Sequence, residues 1–282
     1  QYITNPRDEC RVARDVAAAH RMILVSPDYR AKTSWMGPKA EADLVQIIGD
    51  LRREYRVGRA FMVGGSMGAS AALTFAALHP DLVAGVAAMN GTANHLEYDN
   101  FQDAIRESFG GTKAEIPGEY KKRSAEYWPE RFTMPVGITA GGTDQSVPPD
   151  SVMRLARVLD RMNRPVLLIY RENGGHSTNY ADARRIIEFV IDRAPPAASA
   201  PAAASAPTSA PATATRPASS TPSTLEEAVA WLIVKSFEMI RGCRRAMAHG
   251  RAAFPPQVGR DYDAFWQLLR ATSGGWFPVI AR

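Results

Sequence analysis

Three short stretches hold residue types that could carry nucleophilic catalysis. The run Ala60–Val63 leads directly into Gly64-Gly65-Ser66-Met67-Gly68, and a small-residue stretch follows at once. This is the Gly-x-Ser-x-Gly pattern in a strand–turn–helix context. A serine there sits in a strained turn that lifts its hydroxyl clear of a sheet, and the positions two before and two after it tolerate only small side chains. The amide of Met67, at the start of the following helix, would face the carbonyl oxygen of a bound substrate as one half of an oxyanion hole. Asp144 lies in the glycine loop Ala140-Gly141-Gly142-Thr143 after an apolar run. His176 lies in Asn173-Gly174-Gly175-His176 after the next one.

A glycine-rich strand–helix turn, an aspartate in a turn and a histidine in a loop are each common. Together, in the order Ser, Asp, His and each just after an apolar run, they form the arrangement a serine hydrolase needs. Ser66 would attack an acyl carbon. His176 would take its proton and pass it to the leaving group, and Asp144 would fix the imidazole tautomer. Asn90, after the run Leu82–Met89, and His95, at the start of a polar segment, are candidates for further pocket residues. His79 reads as a helix C-terminal cap, and Trp35, Tyr127 and Trp128 as packing residues.

The elements that must position these groups alternate. Apolar runs at Met22–Val25, Ala60–Val63, Leu82–Met89, Val136–Thr139 and Val166–Tyr170 read as buried parallel strands. Amphipathic patterns fall between or beside them. Leu44, Ile47, Ile48 and Leu51 share one face of Glu41–Tyr55, and helices are also expected over Ala69–Leu78, Ser151–Met162 and Ala183–Ile191. This alternation predicts an α/β fold with a doubly wound, mostly parallel sheet. Residues 95–131 interrupt it with two short helical patterns, Gln102–Ser108 and Pro117–Tyr127. Such an insertion belongs over the carboxyl ends of the strands, where α/β sheets bind ligands.

Composition sets the remaining bounds. The net charge of +5 is spread along the chain without a dense Lys/Arg block, which argues against a nucleic-acid partner. No apolar run approaches the roughly 18 residues of a membrane span. The two cysteines, Cys10 and Cys243, have no CxxC or Cys/His neighbourhood, so they offer no zinc site and no disulfide framework; no metal or other cofactor is expected. From Ala194 to Thr224 every residue except Arg216 is Ala, Pro, Ser or Thr. That composition predicts an extended linker. Residues 1–193 are then the catalytic domain, 194–224 the linker, and 225–282 a helical segment read as part of a truncated second domain. Its helix is expected to open at Thr224 with a capping box and to carry Leu225, Val229, Leu232, Ile233 and Ile240 on one face.

Residues 20–193 resemble the catalytic domain of the prolyl oligopeptidase family. The matching stretches are Val25–Arg30, the elbow Gly64–Gly68, Phe75–Asp81, Tyr120–Ser124, Gly141–Pro149 and Gly175-His176, with Gly141, Asp144, Val147 and Pro148 forming a Gly-x-x-Asp-x-x-Val-Pro pattern. The resemblance implies an α/β-hydrolase fold, the Ser66–Asp144–His176 triad and an acyl-enzyme route for small amides, short peptides or esters, with no cofactor. It also implies strands and a second oxyanion donor that would lie before Gln1, and an upstream β-propeller in peptidase members. The elbow reads Gly-Gly-Ser-Met-Gly where the peptidases favour Gly-x-Ser-Tyr-Gly. The shorter form is similar to that of esterases, including ones that deacylate plant polysaccharides. Peptidase, carboxylesterase, carbohydrate esterase and inactive hydrolase-fold binding module all remain open on the sequence. The stretch from Phe254 to Trp266 is similar to helical-barrel glycosidases of the trehalase kind.

Overall fold

The computed structural model describes residues 3–30, 34–55 and 57–196, together with the backbone of Ala230–Ile233. In chain order the main elements are α1 (Asp8–Ala19), β1 (Ile23–Val25), α2 (Pro38–Glu54), β2 (Ala60–Gly65), α3 (Met67–Leu78) and β3 (Gly85–Met89). They continue with α4 (Gln102–Phe109), α5 (Pro117–Lys122), β4 (Val136–Gly141), α6 (Asp150–Arg161), β5 (Val166–Arg171), α7 (Tyr180–Arg193) and β6 (Ala230–Ile233). The strands form one sheet in the order β1-β6-β2-β3-β4-β5, with every neighbouring pair parallel.

Both faces of this sheet are covered, which is why its strands read as continuous apolar runs. Alternate residues of β2 point to opposite faces. Met62 joins Val86, Ala88, Val136 and Ile138 beneath α2, α3 and α6. Phe61 and Val63 join Ala87, Met89 and Ile169 beneath α1 and α7. The fold is therefore the expected α/β-hydrolase arrangement. Differences in boundary have local causes. The run from Leu82 starts as strand only at Gly85, because Pro80–Leu82 forms a 3-10 turn. Helix α7 begins at Tyr180, ahead of the apolar periodicity, because the Asn179 side chain accepts from the Asp182 amide and caps it.

Residues 230–233 run as a strand between β1 and β2, with Ile23 and Ala60 both opposite Ala230. Four consecutive apolar residues carry no period that separates strand from helix. A ladder position between two parallel strands satisfies the backbone groups of all three. The rest of the expected C-terminal helix, and the linker from residue 197 onward, lie outside the described residues.

The insertion forms α4, α5 and 3-10 turns around a small apolar cluster of Trp35, Tyr98, Ile105, Phe109, Tyr120 and Val147. Arg123 ties it down. Its guanidinium is 1% exposed, donates to Glu41 Oε2 at 2.8 Å and Glu119 Oε1 at 2.7 Å, and also reaches the Met36 carbonyl. Glu41 also accepts from His79 Nε2 at 2.9 Å, so the C-cap of α3 joins the same network. Burial acts to raise the Glu41 pKa, but the bonds from Arg123 and His79 outweigh it and hold the carboxyl below its ordinary value.

A carboxyl whose folded pKa is depressed contributes stability above its unfolded pKa and loses it as pH falls through the folded one. Urea unfolding should therefore show wild-type stability declining as pH drops below the ordinary carboxylate range. Arg123→Met should lose about 3 kcal/mol at neutral pH and flatten that decline, since it strands Glu41 without its main partner.

Candidate active site

The turn from β2 into α3 is made by one residue. Ser66 has φ 56° and ψ −123°, a conformation costly for any residue with a side chain. Its amide donates to the Met89 carbonyl at 2.7 Å, and its carbonyl accepts from the amides of Ala69 and Ser70 at 2.9 and 3.1 Å. These bonds pin the turn from both sides. A Cβ on Gly64 would stand 2.2 Å from the carbonyl carbon of Gly68, so the strand can pass the helix start only as glycine. Met67 is the first residue of α3, and its amide is one of the four that a helix start leaves free for an external acceptor.

The side chains of Ser66, His176 and Asp144 come together in line. His176 Nε2 is 2.8 Å from Ser66 Oγ, and His176 Nδ1 is 2.7 Å from Asp144 Oδ2. The Asp144 side chain is 1% exposed and that of His176 32%, so the acid is sealed in while the imidazole stays reachable. Asp144 Oδ1 accepts from the amides of Ser146 and Val147, both at 2.9 Å. Those bonds fix the carboxylate and leave Oδ2 directed at the imidazole.

Asn90 is the hub behind this line. It is buried, at a positive φ of 52°. Its Nδ2 donates to the Gly175 carbonyl at 3.2 Å and, at the limit of 3.5 Å, to Asp144 Oδ2. Its Oδ1 accepts from Thr178 Oγ1 at 2.5 Å, and Thr178 meets Thr139 at 2.6 Å. The acid and histidine loops also touch through backbone. A Cβ on Gly141 would lie 2.3 Å from the Gly175 carbonyl oxygen, and one on Gly142 2.3 Å from that of Glu172. Thr143 donates from both amide and hydroxyl to the Gly174 carbonyl, each at 2.9 Å. Glycine at 141 and 142 is thus explained by the close approach of the histidine-loop backbone.

Asn90 borders the cleft at Ser66. His95 does not line the pocket, which corrects its reading as a candidate there. It is fully buried, edge-on to Trp35 and Phe109 at 6.0 and 5.2 Å, with Nε2 3.4 Å from Thr74 Oγ1. Burial, reinforced by the charge of Arg123, lowers its pKa to about 3, so it is a neutral packing residue. Trp35 is buried as read, whereas Tyr127 is 40% exposed. Sequence reasoning missed Thr139 and Thr178, whose hydroxyls carry no periodic signal.

A small cleft of about 80 Å³ opens at Ser66 and His176, with Asn5, Arg7, Glu9 and Cys10 on its other wall. A larger one of about 720 Å³ lies beside His176, bounded by Arg7, Asp8, Arg171, Asn179 and Asp182. The approach of the segment that leads into α1, and of its first turn, was not foreseen, since chain order alone does not bring residues 5–10 to the elbow. Among the described residues, no three His, Cys, Asp or Glu side chains are grouped to hold a metal ion.

The sequence model of the prolyl oligopeptidase family matches residues 36–190. Among solved structures, a puromycin hydrolase is 20% identical with a TM-score of 0.48, over 56% of this chain and 25% of that one. Porphyromonas gingivalis dipeptidyl peptidase 4 is 19% identical with a TM-score of 0.49, over 58% and 24%. Pyrococcus horikoshii acylaminoacyl peptidase is 18% identical with a TM-score of 0.44, over 54% and 26%. The chain thus spans about a quarter of the length of these structures. No curated protein matches it.

The elbow geometry yields a test by contrast. Gly64→Ala should destabilise the protein by about 3 kcal/mol, on the scale of overpacking against backbone. Gly49→Ala, in α2 with nothing within 4 Å of the added carbon, should be neutral or stabilising by about 0.5 to 1 kcal/mol. Denaturant midpoints of the two variants check the pair.

Proposed function

We propose that this chain, which belongs to the prolyl oligopeptidase family, carries a serine hydrolase centre built on Ser66, His176 and Asp144. The observation that carries the reading is the continuous relay from Ser66 Oγ through both ring nitrogens of His176 to a buried Asp144. No requirement of the fold alone demands a serine at a positive φ with its hydroxyl against an imidazole.

The chemistry follows from that relay. Asp144 accepts from Nδ1–H of His176, so the neutral imidazole presents Nε2 with a free lone pair to the Ser66 hydroxyl. As Ser66 Oγ attacks an acyl carbon, its proton passes to Nε2, and the imidazolium lies against a carboxylate that is already fixed. The negative charge growing on the acyl oxygen meets the Met67 amide at the positive end of α3. Collapse expels the leaving group with the proton from Nε2 and leaves an acyl-serine. Water, activated by the same imidazole, then releases the acid and restores the hydroxyl.

The substrates are small amides, short peptides or esters. Both classes use one acyl-enzyme route, and the half-open imidazole above a narrow cleft suits a compact acyl group. No cofactor enters any step. An inactive binding module of the same fold is less well supported, because it would have no need for the aligned relay.

Steady-state hydrolysis of p-nitrophenyl acetate and of a blocked prolyl anilide tests the reading. Ser66→Ala and His176→Ala should each lower kcat by at least about 10³-fold, and Asp144→Asn by a comparable factor. A wild-type rate in folded Ser66→Ala would overturn it.

A further inference from the structure

The first loop of the insertion reaches across to the acid loop and grips two successive peptide groups. Tyr98 Oη donates to the Ser146 carbonyl at 2.7 Å. Asn100 Nδ2 donates to the same carbonyl at 3.1 Å and to that of Gln145 at 3.0 Å. Ser146 is also the residue whose amide, with that of Val147, holds Asp144 Oδ1. The two sides of this turn are therefore bonded to different things. Its amides face the carboxylate, and its carbonyls face the insertion.

The gripping residues are themselves fixed. The Tyr98 ring is buried against Trp35, with centroids 5.7 Å apart. Its carbonyl accepts from Gln102 Nε2 at 2.5 Å and from Lys113 Nζ at 3.2 Å. Lys113 also reaches the Leu96 carbonyl at 3.1 Å and Asp99 at 2.6 Å, so residues 96–102 form a tied unit. Burial first, and the nearby charge of Asp144 second, raise the Tyr98 pKa, so its hydroxyl keeps the proton it donates. Neither Tyr98 nor Asn100 borders the cleft at Ser66.

We infer that Tyr98 and Asn100 are positioning residues that hold the Ser146 carbonyl, and through it the turn that keeps Asp144 aligned with His176. The inference rests on the Ser66–His176–Asp144 reading and adds a link to it. The insertion, beyond covering the carboxyl ends of the strands, sets the geometry of the acid. Loosening this grip lets the two amides drift from Asp144 Oδ1, and a carboxylate freed to rotate holds the imidazole less well. The loss falls on the transition state, where the imidazolium forms, more than on ground-state binding.

The test uses the full chain, p-nitrophenyl acetate as probe, and the low-field proton resonance of the His176 Nδ1–H in protein labelled with ¹⁵N-histidine. Tyr98→Phe keeps the ring and removes only the donor. It should lower kcat about tenfold with KM changed by less than about twofold, the scale of one lost hydrogen bond, and shift the resonance upfield or broaden it. Asn100→Ala, at an exposed residue whose loss leaves no void, should lower kcat about threefold with a smaller shift of the same sign. Unchanged kcat and an unchanged resonance in folded Tyr98→Phe, or in Asn100→Ala should Tyr98→Phe fail to fold, would overturn the positioning role while the triad stood. A wild-type rate in Ser66→Ala would instead remove the triad and this inference with it.

Discussion

A carboxylate taken out of water has to be given partners or it will not stay ionised, and much of the site follows from meeting that demand at Asp144. Two backbone amides, an imidazole and an amide side chain surround its oxygens. To bring the amides round, the chain must turn tightly after β4. To bring the imidazole in, the loop after β5 must lie against that turn, which forces glycine at 141 and 142. To seal the far side, Asn90 leaves β3 in a left-handed conformation and spans to Gly175. Three consecutive strand ends thus converge on one buried charge, and the parallel sheet is what places those ends side by side.

The second constraint is the one-residue reversal at Ser66. Its cost is of order 1–3 kcal/mol, and it persists because both backbone groups of the turn are bonded and because α3 is a helix of small residues lying flat on the sheet. The two constraints meet at His176. One nitrogen is held by the sealed acid, and the other is left facing a hydroxyl that the strained turn has raised. Rigidity is supplied behind the histidine and access in front of it, which suits the proton transfer proposed for it.

Much of this was legible in the residues. Glycines at 64, 141 and 142 announced backbone contacts before any contact was visible, since side chains are excluded where backbones touch. The apolar runs gave the strands because burial on both faces removes polar alternation. What stayed hidden depended on distant partners. His95 is a histidine before an insertion, and nothing local says that Trp35 and Phe109 close over it. Thr139 and Thr178 lie 39 positions apart and bond only because β4 and the histidine loop converge on Asn90. Tyr180 opens α7 early because Asn179 caps it, a choice that hydrophobic period cannot see.

The central claim is that Ser66 is an activated nucleophile, and covalent labelling tests that most directly. The full chain would be treated with a fluorophosphonate probe and the modified peptide located by mass spectrometry. The account predicts a single phosphonylated residue, Ser66, with labelling lost in His176→Ala although the serine remains. Folded wild-type protein that does not label, or a label on another side chain that survives in His176→Ala, would contradict it.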